Sequence, residues 1–314
     1  MDTMPLKIET IQARAAVTPE TFTVEPHPTN GRLRHLVLDS HVLAAFFEEV
    51  AHVEVQNLEY VPFMRFSLAN SLLRLLGDDF AKTVRHAVRD RASGGFTVGV
   101  QGLTGDRQDF IKFGTAVGHI FGPSNHDAMS GKYYATFLVK HTDNSDSYLR
   151  QAYRALTLHT DGTFVDEATD WQLMMKFAEK NARGGESRLM HLDDWEDFDR
   201  FANDPLGARP IVYKAPGSKN VGEKVTYPTF FDNEYGRVIS FIDQFACPQT
   251  IEEAIYLRDM SQSMEESPAT FELPLPVGDH IVLNNHFWVH GRAAFKKHPD
   301  LHRELMRQRG LLVA

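Results

Sequence analysis

The chain changes its hydrophobic period partway along, and that switch limits the folds open to it. Up to about residue 120 apolar residues recur at helical spacing. A helix from Ser40 buries Val42, Leu43, Phe46, Phe47 and Val50, with Ser40 as its N-cap. A longer helical region over roughly 64–92 carries Leu68, Leu72, Leu75, Leu76, Phe80, Val84 and Val88, with Gly77 as an interruption and Gly94-Gly95 as its end. Phe96–Val100 reads as a short strand and Gln108–Gly122 as another helix. Beyond that, strand-like runs dominate: Tyr133–Val139, Trp171–Phe177, Ser187–Leu192, Arg237–Ile242, His280–Leu283 and Glu304–Val313. Helices near Asp194–Asn203 and Gln249–Glu265 interrupt them. Helices first and turn-separated strands afterwards imply an α+β chain, an antiparallel barrel or sandwich backed by helices. Residues up to about 30, broken by Pro19, Pro26 and Pro28, read as an irregular lead-in.

Within the strand-rich part, Leu158-His159-Thr160-Asp161-Gly162 places an imidazole and a carboxylate two residues apart. In extended backbone such residues project to one face and can reach one atom. A third ligand completes a 2-His-1-carboxylate triad, which holds Fe(II) and leaves three coordination positions open. His290, in Trp288-Val289-His290-Gly291-Arg292, is the best third ligand. His286 lies four residues earlier, on the same face of an extended segment, so phase alone does not choose between them. The Gly-Arg after His290 favours it: glycine permits a close backbone approach, and a basic residue there supports a carboxylate. His286, His298 and His302 read as surface or pocket-rim histidines. On spacing alone an exposed, self-bonded His159/Asp161 loop pair competes with the metal reading.

The last strand-like run adds a charge argument. Leu305, Arg307, Arg309 and Leu311 share one face. Two guanidiniums aimed into one cavity require anions there, because burying a bare charge costs several kcal/mol. The competing reading is a solvent-facing basic edge. Flanking leucines on the same face weigh against it.

Composition excludes several classes. A formal charge of −9 argues against a general nucleic-acid or anionic-membrane partner. The single cysteine, Cys247, removes an internal disulfide and any thiolate zinc cluster. No apolar run approaches membrane-spanning length and the N-terminus lacks a signal-peptide pattern, so a cytoplasmic location is expected. No repeat or linker divides the chain, and one domain is expected.

The H-x-D pair, the late His-x-Gly-Arg and the downstream arginine resemble the Fe(II)/2-oxoglutarate dioxygenases with a double-stranded β-helix. Asn144–Arg150, Leu173–Lys176, His191–Glu196, Phe241–Phe245 and His298–Gly310 resemble, more closely, the glutarate 2-hydroxylases, carbon-starvation-induced enzymes of bacterial lysine breakdown. The likeness runs from about residue 30 to 310. It implies a jelly-roll core, clavaminate synthase-like, over 126–314 with inserted helices, a mainly helical flank over 31–125 and the lead-in over 1–30. It implies iron on His159, Asp161 and His290, with no catalytic residue beyond those ligands. It also implies hydroxylation of glutarate to (S)-2-hydroxyglutarate, with O2 consumed and 2-oxoglutarate converted to succinate and CO2, by a homotetramer. The far carboxylate of 2-oxoglutarate falls on Arg309 by this resemblance, helped by Ser187 after the Gly184-Gly185 pair. A plain hairpin turn is the competing reading of that pair. The family usually carries a longer C-terminal tail than this chain has.

Glutarate and 2-oxoglutarate are both five-carbon diacids, so the site must hold two dianions apart. Arg307, Arg150 and Tyr148 are the candidate groups for glutarate, beside Arg309 for the co-substrate. Ion pairs within the protein or interface contacts are equally open for these three. The polar stretches Val165–Asp170 and Lys214–Lys224, the latter with Lys219 and Asn220, are candidate lids. Another small acid as substrate, or a non-catalytic carboxylate binder, remains open because fold and triad do not set the substrate.

Overall fold

A computed structural model describes residues 20–128, 130–141, 152–215 and 224–313. Its strands, in chain order, are β1 Phe22–Pro26, β2 Arg34–Leu38, β3 Gly95–Gly99, β4 Ala135–Lys140, β5 Leu156–His159, β6 Trp171–Lys180, β7 Ser187–His191 and β8 Pro210–Lys214. They continue with β9 Lys224–Pro228, β10 Phe230–Asn233, β11 Gly236–Ile239, β12 Ala246–Cys247, β13 Phe271–Leu273, β14 Asp279–Asn284, β15 Trp288–Arg292 and β16 His302–Gly310. The helices are α1 Ser40–Glu49, α2 Val55–Tyr60, α3 Pro62–Leu76, α4 Asp78–Arg89, α5 Arg107–Phe121, α6 Phe198–Ala202 and α7 Ile251–Glu266.

Eight of these strands make the barrel. The larger sheet contains β14-β6-β16-β4 in that order, and the smaller sheet runs β13-β7-β15-β5. Followed along the chain, β4, β6, β14 and β16 fall in one sheet and β5, β7, β13 and β15 in the other, all antiparallel. Successive barrel strands therefore cross between facing sheets except at β7 and β13, which pair within the smaller sheet across the inserted segment, and this is the double-stranded β-helix. β3, β2 and β1 extend the larger sheet at one edge. Helices α4 and α5 cover that sheet, α3 packs on α5, and α5 is buried from Phe110 to Phe121. The segment between β7 and β13 carries a three-stranded sheet, a hairpin, α6 and α7, and these share a second apolar core with the smaller sheet. No helix among the described residues is long and apolar enough to cross a membrane.

Several sequence expectations change in detail, each for a local reason. The N-cap of α1 is Asp39, whose carboxylate accepts from the backbone N–H of His41 and Val42. The long helical region is two helices, α3 and α4, divided at the expected interruption, Gly77 at φ +87°. Part of the expected lead-in is a strand: β1 pairs β2 from Phe22↔Leu38 to Pro26↔Arg34 at the sheet edge, where proline is tolerated. The Gly184-Gly185 pair, at φ +78° and +76°, is no plain hairpin. It carries the chain from β6 in one sheet to β7 in the other. A Cβ on Gly185 would lie 2.0 Å from the Phe295 ring, so the crossing needs glycine there.

Candidate metal centre and carboxylate pocket

His159 is the last residue of β5, and His290 lies directly opposite it on β15. Their ring centroids are 4.2 Å apart. Asp161 follows just beyond the strand, and ligand atoms of the three residues all lie within 4.8 Å of one another. All three are buried. The register resolves the ambiguity between His290 and His286: His286 precedes β15, and its Nε2 is 2.9 Å from Asp170 Oδ1. His298 accepts from the Asp300 backbone N–H at an exposed turn, away from the triad.

The surroundings prepare each ligand. His159 Nδ1 lies 2.8 Å from the Thr157 carbonyl, so Nδ1–H donates there and Nε2 is left for a metal. The Gln172 amide nitrogen stands 2.7 Å from His290 Nδ1, while the amide oxygen is buried with no partner among the described residues. A half-turn of that amide pairs its oxygen with Nδ1–H, the tautomer that a metal-bound Nε2 demands. Asn285 clamps the carboxylate's backbone: its side chain accepts from Asp161 N at 2.8 Å and donates to Asp161 O and Thr169 O, each at 2.9 Å. Glu265, from α7, accepts from Leu158 N and holds Arg188.

The donor set fits a divalent cation. Asp161 Oδ2 is buried without a hydrogen-bond partner and lies 3.9 Å from His290 Nε2. Burial would raise the Asp161 carboxyl, but Arg307, His290, His159 and Arg309 together outweigh it and hold it at about 2. Burial, helped by His159 and Arg307 against Asp161, lowers His290 to about 3. An ionised Asp161 and a neutral His290 are forms in which these two groups can ligate a metal.

The triad opens into a cavity lined also by Phe137, Val139, Leu156, Phe164, Met174, Ser187, Ile242, Phe245, Arg292, Arg303, Leu305 and Arg307. Ser187 and Arg307 are therefore brought to the site. Arg309 is not among the lining residues. Its Nη1 donates to Thr169 Oγ1 at 3.0 Å and its Nη2 lies 3.8 Å from Glu167, so it buttresses the loop after Asp161. Tyr148, Arg150, Lys219 and Asn220 lie outside the described residues. Of the candidate lids, the 165–170 stretch is tied down at its end: Asp170 N donates to Gly310 O at 2.9 Å, and Thr169 is buried.

Two groups, Arg303 and Asp127, escaped the sequence reading. Arg303 is 4 % exposed, and no hydrogen bond or ion pair holds its guanidinium among the described residues. It stays cationic, since burial, against Glu179 and Glu186, lowers it only to about 10. Arg292, brought to about 10 by burial and by Arg303, lines the same end. The strand parity that groups residues 305, 307 and 309 extends back to Arg303 and was the available signal. Asp127 had none. It accepts from Arg307 Nη2 at 3.0 Å, and Arg307 Nη1 donates to Asp161 Oδ1 at 2.6 Å.

Comparison with known proteins agrees with this geometry. The CsiD family model matches residues 22–312. A glutarate 2-hydroxylase from Citrobacter koseri is 46% identical over 292 residues, covering 92% of this chain and 90% of the relative. One from Klebsiella pneumoniae is 45% identical over the same shares. Among solved structures, an asparagine oxygenase in complex with Fe(II), 2S,3S-3-hydroxyasparagine and succinate superposes with a TM-score of 0.70 at 16% identity, covering 88% of this chain and 92% of its own. The non-heme iron oxygenase OrfP with Fe and alpha-ketoglutaric acid gives 0.66 at 15% identity, covering 87% and 93%. Those two share the fold; the extent and identity of the sequence matches place this chain in the CsiD family.

Proposed function

We propose that this chain is an Fe(II)/2-oxoglutarate-dependent dioxygenase that hydroxylates glutarate to (S)-2-hydroxyglutarate, releasing succinate and CO2. The observation that carries the iron chemistry is the His159–Asp161–His290 cluster with a buried carboxylate oxygen that has no hydrogen-bond partner and lies 3.9 Å from His290 Nε2. Glutarate as substrate rests on the 45–46% identical relatives of that name.

His159 Nε2, Asp161 Oδ2 and His290 Nε2 hold the iron in this reading. The bound metal and its co-substrate supply the oxygen activation and C–H oxidation, chemistry that side chains do not provide. The protein binds, orients and keeps water out. Arg303 and Ser187 receive the far carboxylate of 2-oxoglutarate, with Arg292 beside them. This revises the expectation for Arg309, whose contacts are with Thr169 and Glu167. A buried guanidinium without an anion of its own pays a desolvation cost that an incoming carboxylate relieves. Bidentate pairing then fixes the diacid's direction. Phe137, Val139, Phe164 and Phe245 line the cavity with apolar surface that suits the methylene chain of a diacid. Arg307, on the cavity wall, remains the described candidate for contact with glutarate, beside Tyr148 and Arg150.

The same family resemblance supports a cytoplasmic homotetramer working in lysine and glutarate breakdown. The second reading keeps the iron and 2-oxoglutarate but oxidises another small acid; the oxygenases of other substrates that share this fold favour keeping it. Purified protein with Fe(II), 2-oxoglutarate and ascorbate, assayed for succinate over a panel of diacids and sulfonates, separates the readings. Stimulation by glutarate alone supports the first and by another acid the second. None at all leaves a carboxylate-binding protein. Light scattering tests the tetramer.

A further inference from the structure

The geometry points to Asp127 as a positioning residue: acting through Arg307, we propose, it fixes which oxygen of Asp161 faces the metal. Asp127 lies between α5 and β4, far from the H-x-D segment in sequence, and is 6 % exposed. Its own geometry is determined before it reaches Arg307. Its backbone N–H donates to Lys132 O at 2.7 Å, its carbonyl accepts from Gly131 N at 2.8 Å, and its Oδ1 accepts from Ser130 N at 2.9 Å and Ser130 Oγ at 3.1 Å. Only Oδ2 is left over, and it takes Arg307 Nη2 at 3.0 Å.

Arg307 is thereby stretched between two carboxylates. Its other terminal nitrogen donates to Asp161 Oδ1 at 2.6 Å, while Asp161 Oδ2 keeps no partner. The planar fork of a guanidinium cannot rotate at one end without moving the other. Asp127 therefore fixes the fork, the fork occupies Oδ1, and Oδ2 remains as a single metal-facing atom. Asp127 also offsets the Arg307 charge. Without it, a full cation beside Asp161 would compete with a dication for the same carboxylate. The inference rests on reading the triad as an iron site, and the experiment separates the two failures.

Co(II), a redox-stable substitute for Fe(II), would be titrated into the purified full chain without 2-oxoglutarate, following ligand-field absorption. Failure of the wild type to bind Co(II), with Asp161→Ala indistinguishable from it, overturns the iron reading and the inference with it. Given wild-type binding, Asp127→Asn, nearly isosteric, weakens the Co(II) affinity about tenfold, and Asp127→Glu recovers part of it. In an Arg307→Met background, Asp127→Asn changes the affinity by less than about twofold, because the two act as one unit. Wild-type affinity in Asp127→Asn, or the same loss with and without Arg307, overturns the assignment even if thermal stability falls.

Discussion

Arg303 and Arg309 lie on the same face of β16, yet only Arg303 lines the cavity shared by His159, Asp161 and His290. Arg309 instead spends one donor on Thr169 at 3.0 Å. Arg303→Met is expected to raise the 2-oxoglutarate concentration for half-maximal succinate release about a hundredfold, the loss of a charge-assisted bidentate pair. Arg309→Met, acting through the loop, shifts it by about threefold. Steady-state assays at saturating glutarate check this, and the reverse order restores Arg309 as the carboxylate anchor.

Gln172→Leu removes the group that fixes the His290 tautomer while nearly conserving volume. Metal affinity is expected to fall about tenfold with little change in melting temperature. An unchanged Co(II) titration would show that the ring needs no such partner.

Gly162, next to the carboxylate ligand, has φ +82°, and a Cβ there would lie 2.5 Å from Thr169 Oγ1. Gly162→Ala should cost about 1–3 kcal/mol of stability from backbone strain alone. It should also weaken metal binding, because Thr169 and Asp161 share the Asn285 clamp. Chemical denaturation and Co(II) titration measure the two effects; wild-type values in both would show that the loop absorbs the extra carbon.

His280, on β14, is fully buried beside Phe113, and neither ring nitrogen has a partner among the described residues. Burial lowers its pKa to about 3 from an ordinary 6.5. The unfolded chain therefore binds a proton that the folded chain refuses between those values. Stability from this residue is unaffected above about pH 6.5 and falls as the pH drops toward 3. His280→Met is expected to stabilise by about 1–3 kcal/mol at neutral pH by removing unsatisfied polar atoms. The gain grows on moving to pH 5. Melting curves of both proteins at pH 8 and pH 5 check it, and a gain that shrinks at pH 5 contradicts it.

What could be read from the sequence followed from local periodicity. The α5 stripe, the start of β6 and the ends of β7 and β14 to within a residue follow from apolar spacing, and the H-x-D pair from two residues in extended phase; β6 runs three residues past the expected Phe177. His290 against His286 was undecidable by phase because register belongs to the partner strand: only pairing with β5 sets His290 opposite His159. Asp127 was illegible for the same reason, since its meaning depends on Arg307 arriving from the far end of the chain. Arg303 was within reach of the parity argument, but parity ranks no position along a strand by depth. Gly77 was legible as the interruption of the 64–92 region, because a glycine inside a helical stripe marks a break that the flanking apolar spacing does not hide. The insertion strands β8 to β10 are four or five residues each, too short to announce themselves, whereas β11 was expected over Arg237–Ile242 and spans Gly236–Ile239.

Because the two imidazoles are cross-strand neighbours, the gap between them is set by the ladder joining β5 and β15 rather than by side-chain rotamers. Gly291 tightens that ladder, as any Cβ there would sit 2.4 Å from the Leu156 carbonyl. Folding the β5–β15 pair therefore already brings the two imidazoles together, so metal binding requires no rearrangement of that backbone.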